Sequence, residues 1–276
     1  MAFIDLHVHS NASDGTETPA GVVELAAKAG LIAIALTDHD TVQGVEEALE
    51  NSKSKDILTI PGVELSAVYQ NRDIHILGYS IDYKNPGFLS VLDRYQEARA
   101  DRNRKMIRKM ADLGFDISEE KVEREFPGAV LTRAHFARYL LNHGYVKSNK
   151  EAFERYLDAG KPCYLPKALI TPREAMDAIR NAGGHPVLAH PMLYRLGAEE
   201  LDKLVAYLKE LGLEGIETYY SSNTKQEEKR TKALGKKYGL FLTGGSDFHG
   251  SNKPAISIGT GKGNLHIPEE LLQNVL

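Results

Sequence analysis

Short apolar runs in this chain repeatedly end in a histidine or a carboxylate. The series is Asp5-Leu6-His7-Val8-His9, then Asp14, His39, Glu64, His75, His190, Asp247 and His249, with runs such as Leu31 to Leu36 and Gly239 to Thr243 leading into it. In a parallel α/β barrel the C-terminal strand ends share one rim, so side chains distant in sequence meet there. Six of the ten histidines and three carboxylates at such positions therefore constrain the chain to a barrel built around a multi-metal hydrolytic site.

Hydrophobic patterning places short strands near Ala2 to His7, Leu31 to Leu36, Ile57 to Ile60, Ile74 to Tyr79, Pro186 to Ala189, Gly215 to Tyr219 and Leu240 to Thr243. Helical patterns separate most of them. Thr18-Pro19 opens a helix that Gly30 stops, and Thr171-Pro172-Arg173-Glu174 is a capping box with Gly183 past the helix end. Seven strands imply an incomplete or distorted barrel. From Phe88 to Pro166 only helices are expected, which divides the chain into a first barrel part (1–87), a helical insertion forming a lid (88–166) and a second barrel part (167–276).

His7 and His9 stand two apart on an extended segment, so both imidazoles face one side, as an ion binding two histidines requires. Asp14 lies in the next loop, Glu64 ends a Pro61-Gly62-Val63-Glu64 turn, and glycines before Asp247 let the backbone pass close to an ion. Asp5, Asp38 and Asp40 are assigned as partners that orient imidazoles. His143, His185 and His266 are assigned structural roles: His143 at a helix end, His185 just before a strand and His266 in a loop. Cys163, the only cysteine, reads as a small buried residue, and without a thiolate cluster any metal is held by imidazole and carboxylate, which suits manganese, zinc or iron.

If 90–113 is helical, Tyr95, Arg99, Arg102, Met106, Met110 and Leu113 share one face, so two arginines interrupt an apolar stripe and point inward. A guanidinium there pairs with a phosphate or with an acidic residue beneath the insertion. Thr132 reads as an N-cap, which puts Arg133 and His135 in a first helical turn, where free N–H groups favour an anion. The segment Leu92 to Lys161 holds 15 Lys and Arg against 12 Asp and Glu, and the rest 19 against 26, so acidic flanks surround a basic middle. The net charge of −4 argues against non-specific binding to duplex nucleic acid. No apolar stretch approaches the ~20 residues that cross a bilayer; a first candidate ligand at position 7 leaves no room for a signal peptide, so a cytoplasmic location is expected, and no obligate protein partner is evident.

The segments Asp-Leu-His-Val-His-Ser (5–10), Thr-Asp-His-Asp (37–40), Pro-Gly-Val-Glu (61–64), Ala-His-Pro (189–191) and Gly-Ser-Asp-Phe-His (245–249) resemble the PHP (polymerase and histidinol phosphatase) superfamily. Leu131 to Arg138, Arg155-Tyr156-Leu157 and Gly183 to Pro191 resemble its branch of 3′,5′-nucleoside bisphosphate phosphatases and 5′-to-3′ exoribonucleases of the RNase AM type. The resemblance implies a distorted (β/α)7 barrel of PHP type with an α-helical insertion and two to three divalent ions. It groups His7, His9, Glu64 and Asp247 around one ion, Asp14, His39 and His249 around a second, and His75 and His190, bridged by Glu64, around a third. It implies hydrolysis of a nucleotide or short RNA phosphoester by a metal-bridging hydroxide, with Asp247, His249 and His135 catalytic and Arg133 and His135 in contact with the substrate; the inward helix face adds Arg99 and Arg102 as candidate phosphate ligands. His135 is also a candidate general acid. Histidinol phosphate is an alternative substrate within the superfamily; an amidohydrolase of non-phosphate substrates and a non-catalytic, metal-stabilised binding module are readings of other kinds.

Overall fold

The computed structural model describes residues 3–165 and 171–276. Seven strands form one sheet in chain order: β1 (Phe3–Val8), β2 (Leu31–Leu36), β3 (Leu58–Tyr69), β4 (Arg72–Tyr79), β5 (His185–Leu188), β6 (Gly215–Tyr220) and β7 (Phe241–Gly245). The last strand returns to the first: Asp247 N–H donates to His7 O at 2.8 Å, His9 N–H donates to Phe248 O at 3.0 Å, and Val8 bridges Phe248 in parallel. That return nearly closes the sheet into a barrel. Gly245 permits it, since a Cβ there would lie 2.1 Å from His7 Cβ. The glycines before Asp247 thus let two strands approach each other, where the sequence suggested room for an ion.

The expected βα alternation fails once. β3 does not stop at Ile60 but runs through Pro61 and Gly62 to Tyr69, and it turns at Gln70 and Asn71, both with positive φ, into the antiparallel β4. β4 also pairs antiparallel with β5, so the sheet is mixed. Glu64 is therefore a mid-strand residue rather than the end of a turn. Along β3 the apolar Val63, Leu65 and Ala67 pack in the core outside the sheet, and period-2 alternation turns Glu64 and Ser66 the other way. Ser66 pairs across the ladder with His75, which brings Glu64 and His75 to one face.

Helices α1 (Pro19–Lys28) and α2 (Val45–Ser52) follow β1 and β2. Beyond β4 come α3 (Pro86–Asp112), α4 (Glu119–Glu125), α5 (Arg133–Asn142) and α6 (Asn149–Ala152), the last continuing into a π-helical turn, Phe153–Leu157. α7 (Pro172–Asn181), α8 (Ala198–Glu210) and α9 (Lys225–Tyr238) complete the wall. The Thr18 cap and the Thr171–Glu174 capping box form as the sequence indicated.

α3 belongs to two cores. Phe88, Leu92 and Tyr95 join the core that α7 and α8 share with the sheet, whereas Met106 and Met110 pack with Phe136, Tyr139, Leu140, Leu157 and Cys163 in a core formed wholly by the insertion. The helix carries Arg99 and Arg102 inward, at 8% and 5% exposure, but Leu113 lies half exposed at its C-cap, off the expected apolar stripe. The insertion starts its first helix at Pro86, and the boundary expected at 166 lies outside the described residues, as does Ala2 of the first strand. His185 is the first residue of β5 rather than its predecessor. His143 pairs with Glu125, and His266 stands edge-on to Phe3. Among the described residues no helix is long and apolar enough to cross a membrane.

Candidate metal centre

The nine candidate ligands converge at one end of the barrel. His7 Nε2 lies 3.1 Å from His9 Nε2, and both are 3.3 Å from Glu64 Oε2. Asp247 Oδ1 lies 3.4 Å from His9 Nε2 and 3.7 Å from His7 Nε2. The other Glu64 oxygen meets His75 Nδ1 at 2.8 Å and His190 Nε2 at 2.9 Å. His249 Nε2 is 3.1 Å and His39 Nε2 3.8 Å from the Asp14 carboxylate. Glu64 thus stands between two sets of imidazoles, as a bridging carboxylate would.

The donor set fits divalent ions. His9–Asp14–His39–His249, His7–His9–Glu64 and His39–Glu64–His75 each bring ligand atoms within 4.8 Å of one another. Four buried atoms in the cluster, His9 Nδ1, Asp14 Oδ1, His39 Nδ1 and His190 Nδ1, have no hydrogen-bond partner. Two of them, Asp14 Oδ1 and His39 Nδ1, still lie 3.1 Å from His249 Nε2 and Glu64 Oε2 in contacts that lack hydrogen-bond geometry, an arrangement that suits donor atoms aimed at an ion. Burial opposes charge throughout the cluster, but pairing overrides it at several members: Asp247 and Glu64 push His9 up to about 9, and Glu217 and Glu64 hold His7 well above its usual range. The imidazoles in turn outweigh burial at Glu64 and Asp14 and hold both carboxyls well below theirs. At His39 burial wins and the imidazole is lowered.

Three ligand-bearing segments hold a non-glycine residue at positive φ: Asp40 at 52°, His190 at 27° and Asp247 at 58°. Such conformations cost about 1–3 kcal/mol each and persist where neighbours over-determine them. Here the neighbours are other parts of the site: Asp40 N–H donates to Glu64 O, His190 N–H to Glu217 Oε2 and Asp247 N–H to His7 O.

The carboxylates expected to orient imidazoles do something else. Asp5 accepts from the backbone N–H groups of Ser246 at 2.8 Å and Gly259 at 2.7 Å. Asp38 holds Ser10 and Ser13, and Asp40 accepts from Ser66 N–H at 2.7 Å and pairs with Arg99. All three fix the backbone loops that carry ligands. The imidazole-orienting group is Glu217, fully buried on β6, whose Oε1 lies 2.9 Å from His7 Nδ1. The sequence signal for it was one carboxylate between Ile216 and Thr218 in an otherwise apolar-aromatic strand. Lys253 and Tyr220 were also missed: both donate to Asp247 Oδ2, at 2.5 and 2.6 Å.

A cavity of about 360 Å³ opens over the cluster. Asp14, His39, His75 and His249 form its floor, and Arg99, Arg102, Arg133 and Lys253 stand around it. Arg99 meets Asp40 and Ser66, and Arg133 meets Asp73 at 3.1 Å. Arg102 donates to Asn103 Oδ1 at 2.8 Å, while its buried Nε has no partner. His135 does not line this cavity. It faces the adjoining cleft with Arg138 and Phe126, and its Nδ1 accepts the Thr132 N–H at 2.9 Å in the capping box of α5. Thr132 Oγ1 in turn donates to Asp14 Oδ2 at 2.9 Å.

A nearly closed barrel with an imidazole–carboxylate cluster under a ring of cations defines a metal-dependent hydrolase of anionic esters. The chain belongs to the PHP domain family, whose model matches residues 5–165. It is 36% identical over 89% of its length to the 5′-3′ exoribonuclease Rnm of Escherichia coli K12, covering 84% of that protein. It is 33% identical over 94% of its length to a 3′,5′-nucleoside bisphosphate phosphatase of Chromobacterium violaceum, covering 91% of it. A solved structure of an amidohydrolase from Chromobacterium violaceum, with bound sulfate, superposes with a TM-score of 0.89 at 31% identity and covers 100% of this chain and 98% of that one. The protein is a phosphoric ester hydrolase of the PHP family.

Proposed function

We propose that the protein removes phosphate from 3′,5′-bisphosphorylated nucleosides or trims short RNA from its 5′ end. Crowding of guanidiniums carries this reading. Burial and the neighbouring Arg102 pull Arg99 down to about 9, and burial and Arg133 pull Arg102 down to about 10. Arg99 and Arg133 already meet Asp40 and Asp73, but among the described residues Arg102 between them meets only the neutral Asn103, so the group has room for an anion, and the guanidinium fork matches phosphate. A ring of cations above a metal cluster provides two anionic subsites, which suits a doubly phosphorylated ligand. The Rnm and bisphosphate phosphatase relatives support the substrate class.

We assign two to three ions, of manganese, zinc or iron, to His7, His9, Asp14, His39, Glu64, His75, His190, Asp247 and His249. When bound, such ions supply Lewis acidity toward phosphate oxygens and lower the pKa of a water from about 15.7 to near 7. The chain's other residues position and neutralise. Glu217 keeps the His7 Nε2 toward the cluster, Thr132 and Asn252 hold Asp14, and Tyr220 and Lys253 hold Asp247. Arg102, Arg133 and Arg99 orient the anion, and the insertion screens it from water. The helix-cap bond of His135 Nδ1 favours a positioning part, with Arg133 next to the cap it forms. The lone, buried Cys163 suits a reducing compartment, and we place the protein in the cytoplasm.

The test is kcat/KM of manganese-loaded protein on adenosine 3′,5′-bisphosphate and on a 5′-phosphorylated RNA oligomer, with Asp247→Ala as blank. Phosphate release from the nucleotide alone assigns a phosphatase, and stepwise shortening of RNA assigns an exonuclease. Turnover of neither, with turnover of histidinol phosphate or of nothing, overturns the reading.

A further inference from the structure

One part of the cavity wall differs in kind from the rest. It is formed by Asn149 on α6 and Phe153 at the start of the π-helical turn. Phe153 O accepts the Asp158 N–H at 2.9 Å, the i+5 bond that widens the helix there. The Phe153 ring is half-buried: it packs against the insertion core and also lines the cavity. Asn149, one turn earlier, also lines the cavity, and its Oδ1 is buried without a hydrogen-bond partner. Neither residue bears a charge, and neither is needed to hold a metal or a phosphate. An aromatic ring and a carboxamide side chain on the wall of such a cavity are the groups that recognise a flat, hydrogen-bonding ring.

We infer that Phe153 and Asn149 form a nucleobase subsite, in which the base stacks on the Phe153 ring and its edge meets the Asn149 carboxamide, whose unpaired Oδ1 accepts an N–H once the amide turns from its buried position. The inference rests on the nucleotide reading of this cavity and adds how the non-phosphate half of the ligand is held. Stacking on a π-face is tolerant of base identity, so the subsite distinguishes base-bearing from base-less ligands more than one base from another.

The test measures binding, which separates it from turnover. Adenosine 3′,5′-bisphosphate and ribose 3,5-bisphosphate, identical except for the base, are titrated calorimetrically into manganese-loaded protein and into Phe153→Leu and Asn149→Ala. Leucine retains most of the packing against the insertion core but removes the aromatic face, and Asn149→Ala leaves that core untouched; melting curves confirm that both fold. The wild type is expected to prefer the base-bearing ligand about five- to a hundredfold, the span of base–aromatic stacking. Phe153→Leu is expected to abolish most of that preference and Asn149→Ala part of it, with ribose 3,5-bisphosphate affinity unchanged. No preference in the wild type, no binding of either ligand, or equal loss for both ligands in Phe153→Leu overturns the subsite. Hydrolysis followed in parallel reports on the phosphoesterase substrate alone, so a base preference without turnover leaves the subsite standing and removes only the activity assignment.

Discussion

Glu217 Oε1 lies 2.9 Å from His7 Nδ1 and Glu217 Oε2 accepts the His190 N–H at 2.7 Å, so one buried carboxylate sets two ligands on different strand ends. The first bond fixes which imidazole nitrogen faces the cluster, and the second pins a backbone at positive φ. In Glu217→Gln the amide carries one acceptor oxygen where the carboxylate has two, and it loses the charge that favours the His7 N–H. Metal affinity is expected to fall about 10–100-fold, read by competition with a chromogenic chelator, with the circular dichroism spectrum intact. An unchanged affinity would reduce Glu217 to a packing group.

Stripping the ions should loosen this end of the barrel without unfolding it. The ligands come from β1, β3, β4 and the loops after β1, β2, β5 and β7, so an ion ties together most of the sheet, whereas the apolar cores owe nothing to it. At ~1,000 times its dissociation constant a native-state ligand adds about 4 kcal/mol, which corresponds to roughly 8–16 °C in a chain of this size. Chelated protein is expected to melt cooperatively at a temperature lower by that order and to recover on manganese addition. Equal melting temperatures with and without metal would count against the cluster as a metal centre.

Most of the candidate ligands were legible because they sit where an apolar run stops, and the return of β7 to β1 makes those stops neighbours; Glu64 and His75 lie instead within β3 and β4, on the face that the hairpin turns to the cluster. The β3–β4 hairpin was not legible, because Pro61-Gly62 reads as a turn although the strand continues through it; Gly62 is required there because a Cβ would lie 2.8 Å from Leu36 O. Glu217 escaped notice since a lone buried carboxylate resembles any strand-end acid until the His7 ring is seen against it. Asp5 and Asp38 carried the opposite error: nearness in sequence to a histidine suggested nearness to its ring, but both accept from N–H or hydroxyl groups of the loops. Arg99 took the acidic alternative, pairing with Asp40, and also lines the cavity.

His135 gives the protein a pH-dependent joint. Burial lowers its pKa from the ordinary 6.5, and the neutral ring is what accepts the Thr132 N–H. A depressed folded-state value means that this stability is fully present above 6.5 and is lost as pH falls through the lower folded value. Since Thr132 also holds Asp14, acid should loosen the insertion where it meets the metal loop. His135→Gln, neutral at every pH, is expected to melt about 0.5–2 kcal/mol less stably at pH 8 but to lose less than wild type between about pH 7 and 5. Parallel melting-temperature profiles of the two proteins across that range would exclude the joint.

Arg102 should trade stability for binding. The residue is 5% exposed, its Nε is unpartnered, and burial beside Arg133 pulls it from 12.5 to about 10. A base whose folded-state value is depressed opposes folding at neutral pH, where it must stay charged, and a neutral side chain of similar reach removes that cost. Arg102→Met is therefore expected to raise stability by roughly 1–3 kcal/mol. The same change should raise KM for adenosine 3′,5′-bisphosphate about tenfold or more, the order of a lost charge-assisted bond. KM for a singly phosphorylated nucleotide should move much less, since the proposed reading assigns Arg102 to the second phosphate. Gains in melting temperature alongside losses in bisphosphate affinity identify a binding arginine held at the expense of the fold. A lower melting temperature with both substrates equally affected would make Arg102 a structural residue instead, and the second anionic subsite would then rest on Arg133 and Arg99 alone.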